Sequence, residues 1–153
     1  MTTAIRSIGD EIAVRRSAAN TAVTAGGGGD NTAVTGVIID RAELGYPQSA
    51  VLAIPFTATL AAAATLSLAY TVQEGNAANL SDAATLATAT AAVVATGPVG
   101  GGTVTGTFEV NLSLAGAGRY VRANFTPDLS AANTDTAGLS AVLVFGGSNR
   151  LPV

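Results

Sequence analysis

From Val104 to Leu114, apolar and polar residues alternate with a period of two. Val104, Phe108, Val110, Leu112 and Leu114 fall on one side, and Thr103, Thr105, Thr107, Glu109, Asn111 and Ser113 on the other. That period puts successive side chains on opposite faces of a strand and cannot hold an apolar stripe along a helix. The segment therefore predicts a half-buried antiparallel strand. Leu66, Leu68, Tyr70 and Val72 alternate with Thr65, Ser67, Ala69, Thr71 and Gln73 in the same way, and Leu52, Ile54, Phe56, Ala58 and Leu60 mark a third inward face. Pro55 lies in this third run and cannot donate a ladder hydrogen bond, so its strand is expected at a sheet edge or with a bulge.

Shorter strands are expected over Gly36–Asp40, Arg119–Thr126 and Leu139–Phe145, the last apolar on both faces and so central in its sheet. Turn-forming residues separate them at Leu44-Gly45-Tyr46-Pro47, Glu74-Gly75-Asn76, Gly97-Pro98, Gly100–Gly102, Gly116–Gly118 and Thr126-Pro127-Asp128. Many short strands between such turns predict an all-β fold, an antiparallel β-sandwich of the jelly-roll kind. Ser81–Ala95 is open to two readings. Ser81 or Asp82 suits a helix cap, while Thr85, Leu86, Thr88, Thr90, Val93 and Val94 suit a strand; a loop followed by a strand is favoured.

The run Gly26–Gly29, followed by Asp30 and Asn31, has the composition of a hinge. It divides the chain into an extended N-terminal arm with its glycine hinge, residues 1–35, and a β-sandwich domain, residues 36–153. Ile5, Ile8, Ile12 and Val14 give the arm apolar side chains that a loose tail does not need, so the arm is expected to dock on a neighbouring subunit or a capsid while the sandwich faces solvent. Arg15 and Arg16 are the one adjacent basic pair and complete the N-terminal half of the expected interface.

Composition excludes more than it assigns. The chain of 153 residues has no His, Cys, Trp or Lys. Without imidazole or thiol the usual general base, the strongest nucleophile and the commonest metal ligands are missing, and no paired carboxylates stand in for them. No catalytic residue, cofactor or metal site is expected, and the chain is read as non-enzymatic. A net charge of −3 with no basic patch speaks against nucleic acid. No stretch approaches the ~18 apolar residues of a membrane helix, and the start lacks the basic and apolar regions of a signal peptide. Synthesis in a host cytoplasm, with no membrane partner, is expected. Only 11% of residues are charged, against the ~25% usual for soluble proteins. Much of the surface is therefore small and neutral, which suits a protein held against other copies or a large partner.

Gly26–Gly29 and Gly100–Gly102 lack the strand-loop-helix setting and the Lys of a phosphate loop. Asp128, Asn133 and Asp135 share one loop and offer oxygen ligands, but their spacing matches no calcium loop, and turn carboxylates that bond nearby backbone N–H groups explain them better. Tyr120 and Arg122 share one strand face, where the arginine is placed to stack or pair across an interface.

The runs Gly118-Arg119-Tyr120-Val121-Arg122-Ala123-Asn124-Phe125-Thr126-Pro127, Thr134-Asp135-Thr136-Ala137, Ala141-Val142-Leu143-Val144-Phe145-Gly146-Gly147 and Leu66-Ser67-Leu68-Ala69-Tyr70-Thr71-Val72-Gln73 resemble small virion proteins of tailed bacteriophages, the capsid decoration or cement proteins. The resemblance covers residues 36–147 and rests on strand patterns, with no site motif. It implies a jelly-roll cement protein, commonly trimeric, that binds the major capsid protein on the outside of the shell and stabilises it. A tail, fibre or baseplate component shares the same composition, and a carbohydrate-binding sandwich is a further alternative, although such modules usually present aromatic platforms and this chain has three Tyr and no Trp.

Overall fold

The structure is a computed structural model and describes residues 8–130 and 134–147. One helical turn, α1 (Ile8–Glu11), leads into eight strands: β1 (Ala13–Thr24), β2 (Ile39–Asp40), β3 (Ser49–Leu60), β4 (Thr65–Gly75), β5 (Ala84–Thr96), β6 (Gly102–Ser113), β7 (Tyr120–Leu129) and β8 (Thr136–Gly146). Antiparallel pairs form between β1 and β8, β2 and β7, β3 and β6, and β4 and β5. Further pairing of β3 with β8 and of β4 with β7 joins these ribbons into two four-stranded sheets. The front sheet runs β1-β8-β3-β6 and the back sheet β2-β7-β4-β5. Such nested pairing, first strand with last and so inward, is a jelly-roll wrap of an all-β antiparallel sandwich.

The inward faces of β3 and β4 are those the alternation marks. Leu52, Ile54, Leu66, Leu68, Val121, Phe125 and Leu143 are at most 1% exposed, and Ser81–Ala95 resolves into a short loop followed by β5. Pro55 departs from expectation, because β3 lies between β8 and β6 rather than at an edge. The pairing with β8 lapses at Ile54 and Pro55, then resumes in the same register at Phe56. A missing N–H thus interrupts one side of a central strand without a bulge. The turn expected at Thr126-Pro127-Asp128 is also absent: β7 continues to Leu129, with Pro127 opposite Leu68.

The detached arm is corrected as well. Residues 13–24 are β1, an edge strand of the front sheet that buries Ser17, Ala18 and Val23. Removing residues 1–25 would take a strand out of the sandwich rather than trim a tail. Nor is Gly26–Gly29 a hinge. Gly26 and Gly29 adopt left-handed φ values of 65° and 81° in a closed turn, and Thr24 N–H donates to Gly28 O at 2.9 Å. Asp30 fixes that turn, its Oδ2 accepting from Gly26 N–H at 2.8 Å and its Oδ1 from Leu129 N–H at 2.9 Å.

After this turn the chain straps the free edge of β7. Asn31 N–H donates to Pro127 O, Val34 and Phe125 exchange backbone bonds at 2.8 and 3.2 Å, and Val37 N–H reaches Ser17 O on β1 at 2.7 Å. Gly36 sits at the crossing. A Cβ there would stand 2.1 Å from Ala123 O and 2.8 Å from Ser17 Oγ, so only a glycine lets the strap approach both sheets.

The opposite side, between β5 and β6, is more open. The β5 residues paired with Leu68, Tyr70 and Val72 are Ala92, Ala89 and Ala87, too small to fill the space behind them. Leu86 and Val94 of β5 are half-buried against the core there, together with Tyr70 and Phe108, whose ring centroids are 6.1 Å apart. Phe108 and Val110 point inward but are only half-buried. Phe108→Ala is therefore expected to cost about 1.5–2.5 kcal/mol, roughly half the value for a fully buried Phe, read from a denaturant titration. A loss above about 4 kcal/mol would show that this side is as tightly packed as the centre.

Candidate interaction surface

The expected interface residues divide between two opposite faces. On the front sheet, Val14 in β1 is 53% exposed and Arg16 is exposed on the same outer face, Arg15 is exposed at the sheet's edge in register with the inward Leu143, Ile8 in α1 is 75% exposed, and Ile12 is half-buried. Arg15 turns one guanidinium N–H back to Val14 O at 3.1 Å. Ile5 lies outside the described residues. On the back, Tyr120 and Arg122 occupy the outer face of β7, in the half of its alternation left outside the core. Arg122 donates to Gln73 Oε1 at 2.7 and 3.1 Å, and Asn124 donates to the same oxygen at 3.0 Å. Tyr120 is covered by Arg119, with the guanidinium carbon 5.2 Å from the ring centroid. Arg119 also grips Asp40 through Nη2 at 2.7 Å, a bond that holds the Asp40 carboxyl below its ordinary pKa. The arginine stacked on Tyr120 is thus Arg119, while Arg122 is engaged within the sheet.

Front-sheet register sorts its outer side chains into rows. One row across the four strands is Val14, Val144, Val51 and Asn111; the next is Arg16, Val142, Ala53 and Glu109. The far end is a row of threonines, Thr24, Thr136, Thr59 and Thr103, in which Thr59 and Thr103 hydroxyls are 3.3 Å apart. Arg16 and Glu109 are the only charged residues among these outward strand positions. At the valine end a shallow concavity of about 220 Å³ is lined by Ile12, Val51, Val144, Ser49 and Asn111, among others. It holds no titratable side chain, so it presents apolar surface and neutral hydrogen-bonding groups.

The acidic loop is engaged locally. Asp128 Oδ1 accepts from Asn31 Nδ2 at 3.0 Å, and Asp135 Oδ1 accepts from Ala61 N–H at 2.8 Å. Asn133 lies outside the described residues, and among the described residues no group of three His, Cys, Asp or Glu is placed to hold a metal ion.

Nothing in the sequence pattern marks Arg41, which is 2% exposed. It opens a 3₁₀ turn (Arg41–Leu44) capped by Asp40, whose Oδ1 accepts from Ala42 N–H at 2.9 Å. From there its guanidinium donates to the carbonyls of Ala117, Gly118, Pro47 and Leu114. Burial pulls its pKa down, and the nearby Glu74 carboxylate pushes it back up. The one available signal is weak: an isolated Asp-Arg pair before Leu44-Gly45 in a chain with few charges.

No protein-family model matches the chain, and no curated protein sequence matches it. Among solved structures, the chain is similar to the structure of infectious bursal disease virus Gt strain, with TM-score 0.48 and 14% identity over 94% of this chain and 35% of that one. It is similar to the Gx strain of that virus, with TM-score 0.47 and 14% identity over 92% of this chain and 33% of the other. The crystal structure of the infectious bursal disease virus VP2 subviral particle gives TM-score 0.44 and 14% identity over 90% and 33%. The chain spans about a third of the length of these viral chains.

Proposed function

We propose that this chain is a non-enzymatic structural protein of a virion, made in the host cytoplasm and carried on the outside of a bacteriophage capsid, where it binds the major capsid protein and stabilises the shell. The observation that carries this reading is β5. Its thirteen residues include no charged side chain, most are exposed, and Val93 is 59% exposed. Three register shifts against β4 kink it. A bulged edge is poor at accepting another strand, whereas small neutral side chains cost little to desolvate against a broad partner. The jelly-roll wrap and the resemblance of the β4, β7 and β8 segments to phage virion proteins support the same assignment.

The test is co-sedimentation with undecorated capsids assembled from the major capsid protein of the virion that the proposal assigns the chain to. Wild-type protein is expected to pellet with particles at saturating stoichiometry and to raise their melting temperature. Val93→Arg, at an exposed position, is expected to weaken binding at least about tenfold. Absence of any particle-bound protein at high micromolar concentration would overturn the proposal.

A further inference from the structure

We propose that the outer face of the front sheet is a self-docking surface, on which a second copy of this chain packs face to face about a two-fold axis. The placement of charge on that face carries the inference. Arg16 and Glu109 share one row, joined through Val142 and Ala53, and stand at its two ends on β1 and β6. Three strand spacings of ~4.8 Å hold them about 14 Å apart, beyond the reach of an ion pair within one chain. Among the described residues neither makes a salt bridge.

A two-fold axis parallel to the strands and midway between β8 and β3 lays each edge of one sheet over the opposite edge of its mate. Arg16 then faces Glu109 of the second copy, and Glu109 faces Arg16 of the second copy, so one symmetry operation pairs all four charges. The same operation sets Val144 against Val51 of the second copy, and Val51 against Val144 of the second copy. It also brings the exposed Val14 over Asn111 of the second copy, at the lip of the concavity lined by Ile12, Val51 and Val144. Packed sheets commonly cross at about 30°. The charged row lies near the middle of the strands, where such a rotation displaces residues by only a few ångströms, within the reach of an arginine.

The area suffices. Four strands at ~4.8 Å and twelve residues at ~3.4 Å make a face of roughly 780 Å², close to the ~800 Å² per partner of a stable interface. An isologous contact closes at two copies, so it predicts a dimer where the sequence resemblance implies a trimer. The inference does not depend on capsid binding, because it concerns the free protein.

Sedimentation equilibrium of the full chain, with no particle present, is expected to give the mass of two chains at tens of micromolar. Arg16→Glu and Glu109→Arg each place two like-charged pairs in the contact and are expected to weaken association at least about tenfold. The double variant R16E/E109R restores opposite charges and is expected to return to within about threefold of wild type. Ala53→Arg, in the same row nearer the axis, blocks the approach sterically and should give one chain whatever the edge charges are. Circular dichroism checks each variant for the β fold. A single-chain mass for wild type, a three-chain mass insensitive to these substitutions, or a double variant as weak as the single ones would overturn the proposal. None of these results bears on co-sedimentation with capsids.

Discussion

Arg41→Ala is expected to destabilise the protein by about 3–5 kcal/mol, measured as a fall in the guanidinium midpoint at unchanged slope. The guanidinium is the largest fully buried side chain and ties two loops at one end of the sandwich. Its donors reach Gly118 O at 2.7 Å, Pro47 O at 2.8 Å and Leu114 O at 2.9 Å, with Ala117 O as the fourth acceptor. Removing it leaves those carbonyls without their donor, and each buried acceptor left unpaired costs about 1–3 kcal/mol before water fills part of the vacated space. Arg41→Lys tests whether charge alone suffices. A lysine keeps the cation near Glu74 but offers one compact donor group instead of a planar fork, so it should recover less than half of the loss. A loss below about 1 kcal/mol for Arg41→Ala would mean that the loops hold together without it.

How far the fold was legible depended on whether a segment's contacts are periodic. The faces of β3, β4 and β6 could be assigned from alternation because each keeps one side against the opposite sheet, and Leu52, Leu68 and Leu112 are buried where the pattern puts them. β1 escaped because its alternation is broken. Register shifts beside Ala18 let Ser17 and Ala18 be buried in succession, and the adjacent Arg15 and Arg16 fit a docking arm as readily as a strand. The glycine run misled for a related reason. Glycine is used both in flexible linkers and in tight left-handed turns, and the difference here lies in Asp30, whose carboxylate bonds Gly26 locally and Leu129 a hundred residues away. Pro55 and Pro127 both sit inside paired strands, since losing one N–H interrupts a single ladder bond and leaves the strand's other partner in place. The candidate surface was half legible. Ile12 and Val14 could be singled out as out of place in a loose tail and Arg16 as half of the one adjacent basic pair, but Glu109 gains meaning only from the register that sets it in the same row as Arg16.

Phe125→Ala is expected to cost about 3–5 kcal/mol, against about 1.5–2.5 for Phe108→Ala, although both are apolar residues of regular strands. The contrast follows from what covers each strand. Phe125 is 1% exposed on β7, which lies between β4 and the strap that crosses from the glycine turn. Its own backbone holds that strap through the two bonds with Val34. A vacancy at Phe125 has neighbours fixed on every side by paired backbone, so little collapse can relieve it, whereas Phe108 stands half-buried on an edge strand. Native-state hydrogen exchange gives an independent check. The amides of Val34 and Phe125 should exchange by global unfolding in the wild type, and in Phe125→Ala the strap should open separately at lower free energy. Equal losses for the two phenylalanines, with the strap amides still exchanging globally, would show that the two sides of the sandwich are packed alike.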